Sequence, residues 1–267
     1  MVTLVEDQAR PGAYLVRIGG TDQSYVDLAD PLRLEFDYVQ RIADVVDEIA
    51  PDGERIRIVH IGGAALTLPR YVTATRPRSA QIVLEPDEEL TRLVREHLPL
   101  PRQSGIKVRA LDGREGIAAM PNDFADLVIV DAFAGARVPA DLTTVEFLTE
   151  LRRVVGPTGA VVINVTDSGG LAYSRRVLAG AAQVFAHVVY GAEPATLKGR
   201  RFGNVIITGS DGPLPEQALT RRAAGSMFPY RMMSGNQIRR FIANAIPLTD
   251  ADAEASPDPV TGGAHFG

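Results

Sequence analysis

The chain has 267 residues, 45% apolar and 23% charged, with a net charge of −5. That is the balance of an ordinary globular protein, and it leaves no broad basic footprint for nucleic acid. The absence of cysteine excludes disulfides, thiolate metal sites and a cysteine nucleophile, and no stretch approaches the ~20 apolar residues of a membrane span.

The first residues, MVTLVEDQARPG, carry acids where a signal peptide needs basic side chains, so a cytoplasmic location is the expectation. Residues 1–30 read as short strands. Tyr14 to Ile18 alternates, Gly19-Gly20-Thr21-Asp22 is turn chemistry, and Ser24 to Leu28 continues as a second strand. Together they predict a small hairpin. Tyr14, Val16, Ile18, Tyr25 and Val26 give it apolar surface that a hairpin cannot bury alone, from which a homodimer is expected. Asp30-Pro31 has the form of a helix N-cap and first turn, and Leu34, Tyr38, Ile42 and Val45 recur at near-helical spacing up to Pro51.

The stretch 56–85 organises the rest. An apolar run, Ile56 to Ile61, ends at Gly62-Gly63, as a buried parallel strand ends in a tight turn. Glycine at that turn lets backbone approach a ligand where a Cβ would collide. Pro69 fits the first turn of a short helix. A second run, Ala80 to Leu84, ends in Glu85, about 20 residues past the glycines, where a Rossmann-type unit holds ribose hydroxyls. A carboxylate suits that role because it accepts two hydrogen bonds from a diol. The third glycine of G-x-G-x-x-G is missing, so a dinucleotide is not favoured.

A helix over 86–97, a strand over 106–111 ending in Asp112-Gly113, and a short helix over 114–119 follow. The strand Leu127 to Val130 then ends at Asp131. Further helices are expected over 143–155, 172–185 and 235–243, and strands over 160–165, 188–190 and 204–208; 210–234 reads as loop and weak helix. Residues 249–267, rich in Pro, Gly, Ala and Asp, are expected to lack fixed structure. The four histidines, His60, His97, His187 and His265, lack ligand spacing, so no metal is expected. Strands alternating with helices demand a mostly parallel sheet with right-handed crossovers. The candidate residues all fall at carboxyl ends of strands, where ligands lie in such sheets.

That set resembles the fold shared by S-adenosylmethionine-dependent methyltransferases and polyamine aminopropyltransferases, and over most of residues 13–210 it is similar to the spermidine synthase family. The family's I-G-G-G-D-G-G-x-x-R-E looks like residues 61–70, from Ile61-Gly62-Gly63 to Arg70. V-E-I-D looks like Leu84-Glu85-Pro86-Asp87, G-D-G-R-E like Leu111-Asp112-Gly113-Arg114-Glu115, and D-S-S-D-P like the run from Asp131 to Ala134. The Gln after L-D-G looks like Gln23, and E-F-x-Y-H-E like Glu35-Phe36-Asp37-Tyr38-Val39-Gln40.

The resemblance implies an α/β fold with a Rossmann-like, seven-stranded, mostly parallel sheet. It also implies a small N-terminal β-hairpin region with a linking helix over 1–50 and an adenosyl-ligand-binding catalytic domain over 51–248. It implies decarboxylated S-adenosylmethionine, or S-adenosylmethionine itself, as co-substrate, with no permanently bound cofactor, and a small-molecule amine as acceptor. Gln23, Gly62, Gly63 and Glu85 would hold the nucleoside, Asp112 and Gly113 would meet the adenine edge, and Asp131 would be general base on the amine. Tyr38 and Phe133 would line the acceptor pocket.

The chain departs from the pattern at Val39 and Gln40 and at Ala65 and Ala134, where the family has His-Glu and two aspartates. An ammonium without a partner charge is costly to desolvate, so the acceptor end is expected to be retuned. Loss of the acid at Ala65 would also suit a donor that keeps its carboxylate. Two alternatives therefore stand beside aminopropyl transfer: a methyltransferase, or a non-catalytic adenosyl-ligand-binding protein.

Overall fold

The computed structural model describes residues 2–259. Its N-terminal unit is an antiparallel sheet of three strands, β1 (Val2–Glu6), β2 (Ala13–Ile18) and β3 (Thr21–Asp27). The added strand is β1, which pairs along its whole length with β2. The apolar face of this sheet is covered by the chain itself. Val16 and Val26 pack with Ala65, Leu66, Leu90 and Val94, with Tyr14 and Ile18 at the margin. The apolar surface from which a dimer is expected is thus largely used within the chain.

Helix α1 (Asp37–Glu48) begins later than Asp30-Pro31 suggests. The Asp30 carboxylate accepts from Leu32 N, and Arg33 N closes a turn on Asp30 O, so the pair forms a turn rather than a cap. Strand β4 (Arg57–Ile61) leads through the glycine turn into α2 (Thr67–Thr75). Then come β5 (Ala80–Leu84), α3 (Glu88–His97), β6 (Ile106–Arg109), α4 (Gly113–Ala118) and β7 (Leu127–Val130). The fold continues with α5 (Val145–Val155), β8 (Ala160–Asp167), α6 (Ala172–Val184) and β9 (His187–Ala192). It closes with α7 (Pro194–Leu197), β10 (Gly203–Ser210), α8 (Glu216–Gly225), β11 (Arg231–Ser234) and α9 (Gly235–Ile242).

The main sheet runs β11-β9-β10-β8-β7-β4-β5-β6. Strands β4 to β8 are mutually parallel, and β10 inserts antiparallel between β8 and β9. The eighth strand is β11, on the edge beside β9. Its sequence, RMMS, gives no period-2 signal, and the segment owes its conformation to pairing with β9. Central strands β7 and β8 are buried along their whole length, which is why they read as continuous apolar runs.

Two polar or proline-rich segments are held by buried anchors. Arg76 is 1% exposed and donates to the carbonyls of Val46, Asp47, Ala50, Pro51 and Glu54, so it closes the end of α1 onto α2. Residues 249–259, expected to lack structure, are held in place. Asp250 pairs with Arg114, and Ser256 is fully buried against Val138 and Thr166. Residues 260–267 of that expectation lie outside the described residues. No helix among the described residues is long and apolar enough to cross a membrane.

Candidate active site

The carboxyl ends of β4, β5 and β7 open onto a cavity of about 320 Å³, closed on its other sides by β3, α1 and the loop after β7. This is where a parallel sheet offers a site. Gly62 and Gly63 form its floor, Glu85 and Asp131 stand at two strand ends, and Gln23, Tyr38 and Phe133 reach in from the surrounding segments.

Each element places its residue for a local reason. Gly62 has φ +77°, and a Cβ there would collide with the Asp131 backbone; one on Gly63 would meet Val83. The glycines therefore let β4 turn against β7 and β5, a different reason from close approach to a ligand. Ala64 and Leu66 also have positive φ, 35° and 64°, at positions where the family pattern has glycine. The turn thus keeps a glycine-type backbone on residues that resist it.

Glu85 accepts from Asp87 N at 3.1 Å. Burial raises its carboxyl above the usual range, opposed by hydrogen bonds from the Asp87, Ala64 and Gly63 amides. Asp131 N bonds Ile61 O at 2.9 Å, and its carboxylate accepts from Asn164 Nδ2 at 2.9 Å. Burial pushes Asp131 up to about 6, with the Asn164 bond acting in the opposite direction. It is therefore largely ionised at neutral pH and close enough to its titration to take a proton. Tyr38 is buried, and desolvation and the Asp131 charge raise its phenol well above the ordinary value.

The remaining candidates make contacts of their own within the chain. The Gln23 amide donates to Gly135 O at 3.1 Å, so it clamps the loop after β7. Asp112 and Gly113 are not among the residues lining the cavity. The Asp112 side chain caps α4 by accepting from Glu115 N, and Gly113 is a packing position where a Cβ would meet Ile61 and Leu142. Ala65 is fully buried against the N-terminal sheet and does not line the cavity, which removes the argument that an acid there would meet a donor carboxylate. Arg33 pairs with the cavity-lining Glu35, and Arg114 and Arg137 pair with Asp250 and Asp258.

Sequence reasoning missed His60, Asn164 and Glu35. His60 and Glu35 line the cavity, and Asn164 sits in β8 behind Asp131. A lone polar residue inside an apolar strand carries no periodic signal, and only the strand order sets Asn164 beside Asp131. Four carboxylates line the cavity, from Glu35, Glu85, Asp87 and Asp131, and no lysine or arginine does so among the described residues.

Comparison with known proteins agrees with this architecture. No family model matches the chain. The polyamine aminopropyltransferase of Vibrio vulnificus is 27% identical over 123 residues, 45% of this chain and 40% of that protein. A crystal structure of a probable spermidine synthase from Corynebacterium glutamicum superposes with a TM-score of 0.88 at 35% identity, covering 93% of this chain and 92% of that one. The chain belongs to the spermidine synthase family. Human methyltransferase-like protein 13, solved with SAH, shares the fold at 17% identity with a TM-score of 0.57, over 80% of this chain and 96% of that one. Within the spermidine synthase family, the aligned part spans about two fifths of the curated Vibrio relative.

Proposed function

We propose that the chain transfers an aminopropyl group from decarboxylated S-adenosylmethionine to an amine acceptor. The observation that carries this reading is a cavity lined by four carboxylates and, among the described residues, by no lysine or arginine, its one histidine being held neutral by burial. Such a lining attracts a sulfonium and an amine and disfavours a phosphate or a free carboxylate. It favours the decarboxylated donor over S-adenosylmethionine itself, and it disfavours NAD.

In this reading Glu85 holds the ribose diol. An ammonium acceptor gives a proton to Asp131. The freed nitrogen lone pair attacks the carbon beside the sulfonium sulfur, the C–S bond breaks, and its electron pair returns to sulfur, which leaves as a neutral thioether. No acid is needed at the leaving group. The remaining work is alignment of nitrogen, carbon and sulfur. To meet Asp112 and Gly113 at its adenine edge, the donor would have to extend beyond the cavity toward the end of β6.

The acceptor end differs from the family pattern. Val39, Phe36, Phe133 and Ala134 give it apolar wall, and Glu35 is paired with Arg33 at 2.7 Å. Asp131 is then the one buried carboxylate on offer there. A mono-amine, or a bulkier, less charged acceptor, therefore suits it better than a diamine held at both ends.

The same reading makes the protein a cytoplasmic homodimer. Its interface would use exposed apolar side chains, among which Val5 (41% exposed) and Phe228 (45%) border one groove and Met227 (86%) adjoins Phe228 in sequence.

Thermal shift with four ligands tests the donor. Methylthioadenosine and decarboxylated S-adenosylmethionine should stabilise the protein increasingly, as the logarithm of concentration above the Kd, and NAD should not. Glu85→Ala should weaken methylthioadenosine binding by about 1–3 kcal/mol, the scale for leaving buried polar groups unpaired. Unchanged binding in that variant removes Glu85 from the ribose, and equal stabilisation by S-adenosylmethionine removes the donor preference. Rapid conversion of putrescine would overturn the retuned acceptor end.

A further inference from the structure

One side chain in the cavity is not used by the reaction above. His60 is 2% exposed in β4, and its ring lines the cavity wall. In the parallel pairing of β4 with β7, His60 lies opposite Ile129. Asp131 follows two residues later, so imidazole and carboxylate stand on the same face of adjacent strands.

The tautomer of His60 is set by its surroundings. Its Nε2 lies 3.0 Å from Gln81 Oε1. The Gln81 amide cannot be reversed, because its Nε2 donates to Pro69 O and to Thr73 Oγ1, each at 3.0 Å. The Thr73 hydroxyl has Pro69 O and Ser104 O to donate to, which leaves its oxygen free to accept from Gln81. Gln81 Oε1 is thus an acceptor, and His60 Nε2 must carry the hydrogen. The neutral ring then has its lone pair on Nδ1. No hydrogen bond reaches Nδ1 from the described residues. Burial pushes the imidazole down to about 4, so the ring stays neutral at physiological pH. An oriented lone pair on a cavity-lining ring, without a protein partner, can accept from a ligand donor. Val39, where the family pattern places a histidine on α1, lines this same cavity.

We propose that His60 Nδ1 accepts a hydrogen bond from the attacking amine and so positions it beside Asp131, an inference that rests on the aminopropyl-transfer reading. A primary ammonium that has given one proton to Asp131 keeps two N–H bonds and one lone pair. The lone pair must point at the carbon, and an N–H held by Nδ1 fixes that direction. His60 gains and loses no proton in the cycle. The arrangement selects acceptors that still carry an N–H after deprotonation, which means primary and secondary amines and not tertiary ones.

Two variants separate this role from packing. The amide of a glutamine overlays imidazole Nε2, and that of an asparagine overlays Nδ1. His60→Gln therefore keeps the Gln81 contact and loses the acceptor, while His60→Asn keeps an acceptor and loses the Gln81 contact. Steady-state rates should show kcat/KM for the amine falling about tenfold in His60→Gln, the scale of one hydrogen bond. The fall in His60→Asn should be smaller, although that variant is the less stable one. The opposite order, or equal losses, overturns the proposal. If the wild type converts no amine, the transfer reading fails by itself, and the inference is then decided by nitrogen NMR. With methylthioadenosine bound, adding a primary amine should move the Nδ1 resonance of His60 and leave the other histidines in place. No movement overturns it.

Discussion

Asp131 is held ionised at neutral pH in a place that disfavours its charge. Its folded pKa of about 6 lies above the ordinary 3.8, so between those values the folded protein binds more protons than the unfolded chain. Stability associated with this group is therefore fully present below about pH 3.8 and is lost as pH rises through 6. Asp131→Asn removes the charge and can still accept from Asn164. It should stabilise the fold at pH 7 by about 1–3 kcal/mol and leave it nearly unchanged near pH 4. Urea unfolding at the two pH values measures the difference. The same variant should abolish most turnover while methylthioadenosine binds as in wild type. In the wild type, turnover should fall as pH drops through 6, because the base is then protonated. A variant with full rate and no gain in stability would remove Asp131 from its role and from its burial argument alike. His60 illustrates the opposite limit of sequence reading. Nothing in the run RIVHI distinguishes a core histidine from a cavity histidine, and the distinction comes from Gln81, a side chain on the next strand.

Among elements, legibility followed burial. Strand β7 was readable to the residue, because four apolar side chains lie between Asp126 and Asp131 and all four are buried. Strand β5 carries a weaker signal, with Gln81 inside it and Ala80 exposed, and Glu85 follows its buried end, Val83-Leu84. Helix α1 starts later than Asp30-Pro31 suggests because Asp-Pro serves turns and caps equally well, and only the packing of Phe36 as extended chain decides between them. Residues 249–259 differ from the expectation because composition averages over their anchor: Ser256 is fully buried, in a stretch that is otherwise polar or small. Ser256 accepts from Val138 N at 2.9 Å, and its own carbonyl accepts from Arg137 Nε at 2.6 Å. Ser256→Ala leaves the buried Val138 amide without that partner and should cost about 1–3 kcal/mol in chemical denaturation. Because Val138 ends the loop that carries Phe133, the same variant should raise KM for the amine more than it weakens methylthioadenosine. A change in stability with no change in KM would show that the segment only supports the fold.

At the scale of the whole molecule, the two sheets share one boundary. Val16 and Val26 of the N-terminal sheet meet Ala65 and Leu66 of the glycine turn, and the cavity opens beside that contact. This use of the sheet's apolar face leaves the proposed dimer to the smaller exposed set around Val5 and Phe228. Sedimentation at micromolar concentration should give a dimer that Phe228→Glu shifts toward monomer. A wild-type monomer at that concentration counts against the assembly.

The loop after β7 is tied at Gly135 by Gln23, near one end of the chain, and at Arg137 and Val138 by Ser256 and Asp258, near the other. A ribosome releases those ties in order, many codons apart. The parallel strands can pair as they emerge, but Phe133 gains its second restraint only after residue 258 has left the exit tunnel. The cavity wall that Phe133 lines would thus be fixed only after the strand ends that carry Gly62, Glu85 and Asp131.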